Sequence, residues 1–177
     1  MDDATLLTAL REHAYLEGDF VLRSGKHSRY YLDKYRFETV PDLLEALGAR
    51  LAAKIGEVEP DATRLAGPEL GAVALAAAAS LSSRLPFLIV RKEAKEYGTG
   101  NRLEGAFSAG ELVVLIEDIV TSGGAAADAV RALRQAELQC RTAICVIDRE
   151  EGGVATLARL GVRLHALFCA AQVVQGR

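Results

Sequence analysis

Tryptophan is absent, methionine occurs once, and the three cysteines, Cys140, Cys145 and Cys169, form no metal-like cluster. Their odd number points to reduced thiols in a cytosolic protein, serving as small core residues. The three histidines, His13, His27 and His165, are scattered and suggest no catalytic role. A basic excess is also missing. With 21 Lys and Arg against 24 Asp and Glu, the net charge is −3 and the pI near 5.7. That balance argues against broad nucleic-acid or anionic-membrane binding, so any attraction for a polyanionic substrate must be local. The longest nearly uncharged stretch, Leu70 to Ser83, is short of a membrane span and dominated by alanine. Met1-Asp2-Asp3 is acidic, unlike a secretory signal. Two common phosphate-binding patterns are missing as well: G-x-x-x-x-G-K-[ST], and a G-x-G-x-x-G that opens a helix after a strand.

What is present suits one domain. The 177 residues, half of them apolar, can bury about 70% of the unfolded surface. Asp3 to Leu16 has helical spacing, with Leu6, Leu7, Leu10 and Ala14 on one face. Phe20 to Thr39 differs: Ser24-Gly25 is a turn signal, and the run Tyr30, Tyr31, Leu32 reads as extended. Pro41 opens a second helix running to about Ile55. From Thr63 onward strands and helices alternate. The spacing predicts strands at Arg64–Ala66, Phe87–Arg91, Leu112–Ile116, Thr142–Ile147 and Leu164–Cys169, and helices at Val73–Ser83, Ala125–Ala136 and Val154–Leu160. Such alternation implies an α/β fold, a parallel central sheet with helices on both faces. The N-terminal segments would cap the strand ends.

The segment Leu112 to Gly124, L-V-V-L-I-E-D-I-V-T-S-G-G, carries the most chemistry. Its apolar run reads as a strand buried on both faces, ending at Glu117 and Asp118. Ligands of parallel sheets collect at the carboxyl ends of strands, where glycines and free helix amides receive anions. Thr121, Ser122, Gly123 and Gly124 can donate to phosphate oxygens, whereas the two acids need hydroxyl donors or a cation. A ribose 5-phosphate answers both needs. Either half alone is read more simply as an ordinary turn or a solvated sheet edge; both in register read as a site.

This segment resembles the 5-phosphoribosyl 1-diphosphate (PRPP) signature of the type I phosphoribosyltransferases. The resemblance implies that family's fold, with the ribose on Glu117 and Asp118 and the phosphate on the loop from Ile119 and Val120 through Thr121, Ser122, Gly123, Gly124 and Ala125. Ala125 departs from the pattern, standing where many members carry Ser or Thr, so phosphate binding is expected to be weakened at most.

Arg91-Lys92-Glu93-Ala94-Lys95-Glu96-Tyr97-Gly98-Thr99-Gly100-Asn101-Arg102 follows a predicted strand and holds four basic residues. Taken alone it is a solvated loop neutralised by Glu93 and Glu96; as a lid its cations would meet a departing diphosphate. The run R-K-E-A-K-E-Y-G-T is similar to the mobile loop of orotate phosphoribosyltransferases. That likeness implies a mobile lid at 92–105, shared across a homodimer, with Arg91, Lys92 and Lys95 on the diphosphate. Lys95 and Asp118 are then the candidate catalytic residues. Tyr97 stands where many members have His.

Val146 to Gly153 ends a further strand at Arg149. Arg149 could pair with Asp148 or Glu150, or present its fork to a planar carboxylate. D-R-E-E-G-G resembles the motif in which this arginine meets orotate. Phe20 to Asp33 resembles the hood strand of the family, which places a hood at 1–40. There Arg23 or Lys26 would touch orotate or diphosphate, with Lys26, Thr121 and Arg149 the candidate orotate contacts. Gly67-Pro68-Glu69-Leu70-Gly71 resembles the diphosphate loop, where backbone amides would bind and Glu69 would repel. The reading implied is a cytoplasmic, homodimeric orotate phosphoribosyltransferase using Mg²⁺, with the metal held mainly by substrate oxygens and water. Its substrates are PRPP and orotate, and nucleic acid and membrane are not partners. The rivals are a phosphoribosyltransferase for another base and a non-catalytic PRPP-sensing regulator on the same fold.

Overall fold

The computed structural model describes residues 1–21, 25, 27–93 and 102–174. Lys26, Arg23 and the lid positions 94–101, Lys95 and Tyr97 among them, lie outside the described residues. Helix α1 (Asp3–Ala14) starts where the Asp2 carboxylate accepts from Thr5 N at 2.8 Å, an N-cap satisfying one of the free amides of the first turn. The chain then enters an antiparallel hairpin, β1 (Tyr15–Val21) and β2 (His27–Leu32), followed by a short helix α2 (Tyr35–Glu38). The extended run Tyr30 to Leu32 falls in β2, while the hairpin begins earlier, at Tyr15, and the chain from Tyr35 to Glu38 turns helical.

Helix α3 (Pro41–Val58) buries Leu43, Leu47, Leu51 and Ile55, a stripe at helical spacing. The remaining elements are β3 (Arg64–Pro68), α4 (Gly71–Ser83), β4 (Phe87–Val90), β5 (Leu103–Glu104), β6 (Leu112–Val120), α5 (Gly124–Gln135), β7 (Gln139–Asp148), α6 (Gly153–Ala158), β8 (Arg163–Cys169) and α7 (Ala170–Val174). One six-stranded sheet has the order β5-β4-β3-β6-β7-β8, parallel except for the edge pairing of β5 with β4. Two apolar layers flank it. One joins α3 and α4 to Leu65, Val114, Ile116 and Ile144; the other joins α5 and α6 to Leu88, Val113, Leu115 and Ala143.

Strand β6 runs four residues beyond the predicted end. Glu117, Ile119 and Val120 continue the ladder with Cys145, Ile147 and Asp148 of β7. The acids are therefore inside the strand, and both are buried. Small residues let the helices approach closely. A Cβ on Gly48 of α3 would lie 2.7 Å from the backbone of Ala78 in α4.

Candidate active site

The turns after β3, β4, β6 and β7 all leave the carboxyl edge of the sheet, the edge where parallel sheets receive ligands. The turn after β6 is closely packed. Gly123 adopts φ +77°, a left-handed conformation that favours glycine, and serves as the N-cap of α5. Any Cβ there would lie 3.0 Å from Cα and 3.1 Å from the carbonyl oxygen of Gly153. A Cβ on Gly153 would in turn meet Val120 Cγ1 and, at 3.0 Å, the Thr121 carbonyl oxygen. Two glycines thus let the β6–α5 turn touch the start of α6. Thr121, Ser122, Gly124 and Ala125 are exposed at this turn, and α5 supplies the free amides of its first turn. Val120 is buried and Ile119 packs against the apolar layer, so their side chains belong to the core. The Val120 carbonyl accepts from Arg149 N at 2.8 Å.

The two acids differ in their surroundings. Asp118 accepts from Lys34 Nζ at 2.5 Å through Oδ2 and from Ile119 N at 2.5 Å through Oδ1. Glu117 keeps Oε1 buried without a hydrogen bond among the described residues. Burial, and then the neighbouring charge of Asp118, push the Glu117 carboxyl up to about 8. Glu38 of α2 behaves alike: it is 4% exposed, its Oε1 has no hydrogen bond among the described residues, and burial and then Asp118 raise it to about 8. Burial opposes the charge on Lys34, but the hydrogen bond and charge of Asp118 outweigh it, and the ammonium is held above its usual range. Gly71, at the amino end of α4, completes the cluster. A Cβ there would collide with Asp118 Oδ2 and lie 2.6 Å from Lys34 Nζ.

Sequence reading missed Lys34 and Glu38. No local pattern marks them, because Lys34 meets Asp118 across 84 positions of chain.

At the end of β7, Arg149 is nearly buried, with its guanidinium 5.5 Å from the centroid of Tyr30 in β2. Tyr30 stacks in turn on Tyr15 at 5.7 Å. Arg149 Nε lies 2.9 Å from Glu151 Oε1, an ion-pair distance without hydrogen-bond alignment. Neither expected alternative holds: the ion pair goes to Glu151, while Asp148 accepts from Glu150 N at 2.8 Å. Arg149 therefore keeps a fork of donors under an aromatic ring.

Glu69, expected to repel an anion, is engaged elsewhere. It accepts from Lys92 N at 2.7 Å and stands 3.9 Å from Arg91 Nε. Arg91 also lies 3.5 Å from Glu104, and its carbonyl accepts from Arg102 Nε at 3.1 Å. Among the described residues no three of His, Cys, Asp or Glu are grouped as metal ligands. What the site offers a Mg²⁺ is hard oxygen from Glu117 and Asp118. A cavity of about 510 Å³ lies elsewhere, between the ends of α3 and α4 at the opposite edge of the sheet, lined by Ala49, Ala53, Glu59 and Leu85. No helix among the described residues is long and apolar enough to cross a membrane.

No family model matches the chain. It is 48% identical to the orotate phosphoribosyltransferase of Halobacterium salinarum over 170 residues, covering 96% of this chain and 95% of that protein. Among solved structures, the orotate phosphoribosyltransferase of Aeropyrum pernix superposes with a TM-score of 0.85 at 31% identity, covering 96% of each chain. The Mycobacterium tuberculosis orotate phosphoribosyltransferase in complex with PRPP gives a TM-score of 0.82 at 25% identity, covering 98% of this chain and 99% of that one.

Proposed function

The chain belongs to the orotate phosphoribosyltransferase family, and on that premise we propose how its residues divide the reaction. The 5-phosphoribosyl group of PRPP passes to orotate, giving orotidine 5′-monophosphate and diphosphate. The observation that carries the assignment is the placing of Arg149, nearly buried over the ring of Tyr30, just past the end of the strand next to the one bearing Glu117 and Asp118. A fork of cationic donors suits the carboxylate that distinguishes orotate from neutral bases.

In this reading the 5-phosphate sits on Thr121, Ser122, Gly123, Gly124 and Ala125, and the ribose hydroxyls donate to Asp118 and Glu117. Ile119 and Val120 contribute backbone only. Arg91 and Lys92, with Lys95 of the lid, meet the diphosphate. Lys95 faces the charge that develops as the C1–oxygen bond breaks, where a prepositioned donor does most. Thr121, Arg149 and Lys26 hold orotate so that N1 faces C1. Substrate oxygens and water would hold most of a Mg²⁺, with Asp118 and Glu117 the residues able to add an oxygen, and the ion would offset part of the diphosphate charge. Residues 1–40 act as the hood of a single domain, 92–105 as a lid shared across a homodimer, and the protein works in the cytoplasm. Reaction with Mg²⁺ and PRPP tests the assignment: orotate is consumed, uracil and hypoxanthine are not. Turnover of a neutral base with orotate spared would overturn it.

A further inference from the structure

A polyanion must enter a seat lined by Asp118, Glu117 and Glu38, where the charge of Asp118 reaches both glutamates. Like charges at such range cost several kcal/mol in a low-dielectric site, so an anion site there needs its charge offset. The cation that meets Asp118 is Lys34, its Nζ 2.5 Å from Asp118 Oδ2. An ammonium has three N–H donors. One is spent on Asp118, and the ring of Tyr35 lies 5.3 Å from Nζ; no other hydrogen bond or ion pair of Lys34 is found among the described residues. The Lys34 side chain is one-third exposed, and its ammonium stands beside Gly71, where any side chain would displace it. Gly71 opens α4, which has no side-chain cap on its first-turn amides.

We propose that Lys34 contacts the diphosphate of PRPP: held by Asp118, it turns its remaining N–H groups to the leaving group at the amino end of α4. One residue then links the ribose seat to the diphosphate loop. An oxygen of Asp118 bonded to Lys34 still has a second lone pair for a ribose hydroxyl, so the pair survives substrate binding. The inference rests on the ribose and diphosphate placement proposed above.

Calorimetry in Mg²⁺ tests it with three probes: inorganic diphosphate, PRPP and ribose 5-phosphate. For Lys34→Gln, diphosphate and PRPP should bind about 10- to 100-fold more weakly, the worth of a charge-assisted hydrogen bond. Ribose 5-phosphate should change by no more than about threefold, the scale of an exposed ion pair. Lys34→Arg keeps the charge and should recover most of the diphosphate affinity; it carries the test if the neutral variant fails to fold. Unchanged diphosphate binding in Lys34→Gln overturns the inference and leaves the functional reading standing. An equal loss for all three ligands also overturns it, assigning Lys34 only to the shape of the ribose seat. Failure of the unaltered protein to bind diphosphate or PRPP overturns both.

Discussion

The guanidinium of Arg149 lies over the ring of Tyr30, 5.5 Å from its centroid, joining the end of a central strand to the N-terminal hairpin. Arg149→Ala removes the donors proposed for the orotate carboxylate and should cost about 1.5–3 kcal/mol of binding. Steady-state kinetics should show a raised orotate KM with PRPP affinity unchanged. Lys at this position should restore little, since a point charge lacks the planar fork. An unaltered orotate KM would remove Arg149 from the site.

Tyr30→Leu keeps much of the apolar cover but loses the ring face. A cation–π contact of this kind is worth about 0.5–2 kcal/mol. The orotate KM should therefore rise less than for Arg149→Ala, and the double variant should show less than the sum of the two effects. Strict additivity would mean that the ring does not orient the arginine.

Lys95→Ala should lower kcat by about 10²–10³, the usual loss on removing a transition-state donor. Lys95 lies outside the described residues, so this expectation rests on the resemblance of its loop. Rapid-quench measurement of a single turnover checks it directly, and a normal chemical step would make the lysine dispensable.

Gly71→Ala puts a methyl group where the Asp118 carboxylate and Lys34 ammonium already stand. Overpacking of this kind costs about 1–3 kcal/mol of stability. The loss should appear in thermal unfolding, and the PRPP KM should rise because Asp118 must move. A variant with the melting temperature and PRPP KM of the parent would show that the cluster yields freely.

Stability should fall off on both sides of a middle pH range, for opposite reasons. Glu59 is held below the usual carboxylate range by its hydrogen bond to Arg141, against the opposing effect of burial, with Thr142 assisting. A depressed folded value means that its contribution is present above about 4.5 and lost as pH falls. Glu38 and Glu117 are raised, so the folded state holds protons that the unfolded state has released. Their effect is a loss of stability as pH rises from about 4.5 towards 8. Glu38→Gln should therefore stabilise the protein at pH 8 and make little difference near pH 4. Urea titrations across that range measure it; a variant equally stable relative to the parent at both ends would contradict the buried, protonated state.

Much of this could be read from sequence because it is local. The β6–turn–α5 unit shows itself as an apolar run followed by glycines, and Arg149 follows a second such run. The end of β6 was misread for a definite reason. Adjacent acids look like an exit to solvent, yet Glu117 and Asp118 are 7% and 4% exposed within the strand. Burial of Asp118 is offset by Lys34, whose partnership closes only when the chain folds back. β5, of two residues, and α7, of five, are too short to display a period. The hairpin appeared a few residues early because Tyr15 packs on Tyr30, a cross-strand contact no helical spacing reveals.

The back-to-back glycines at 123 and 153 leave no room between the two turns for either to shift alone. If nucleobase and sugar phosphate sit on these two turns as proposed, the distance between the reacting partners would be set largely by the sheet, and only secondarily by whatever folds over it.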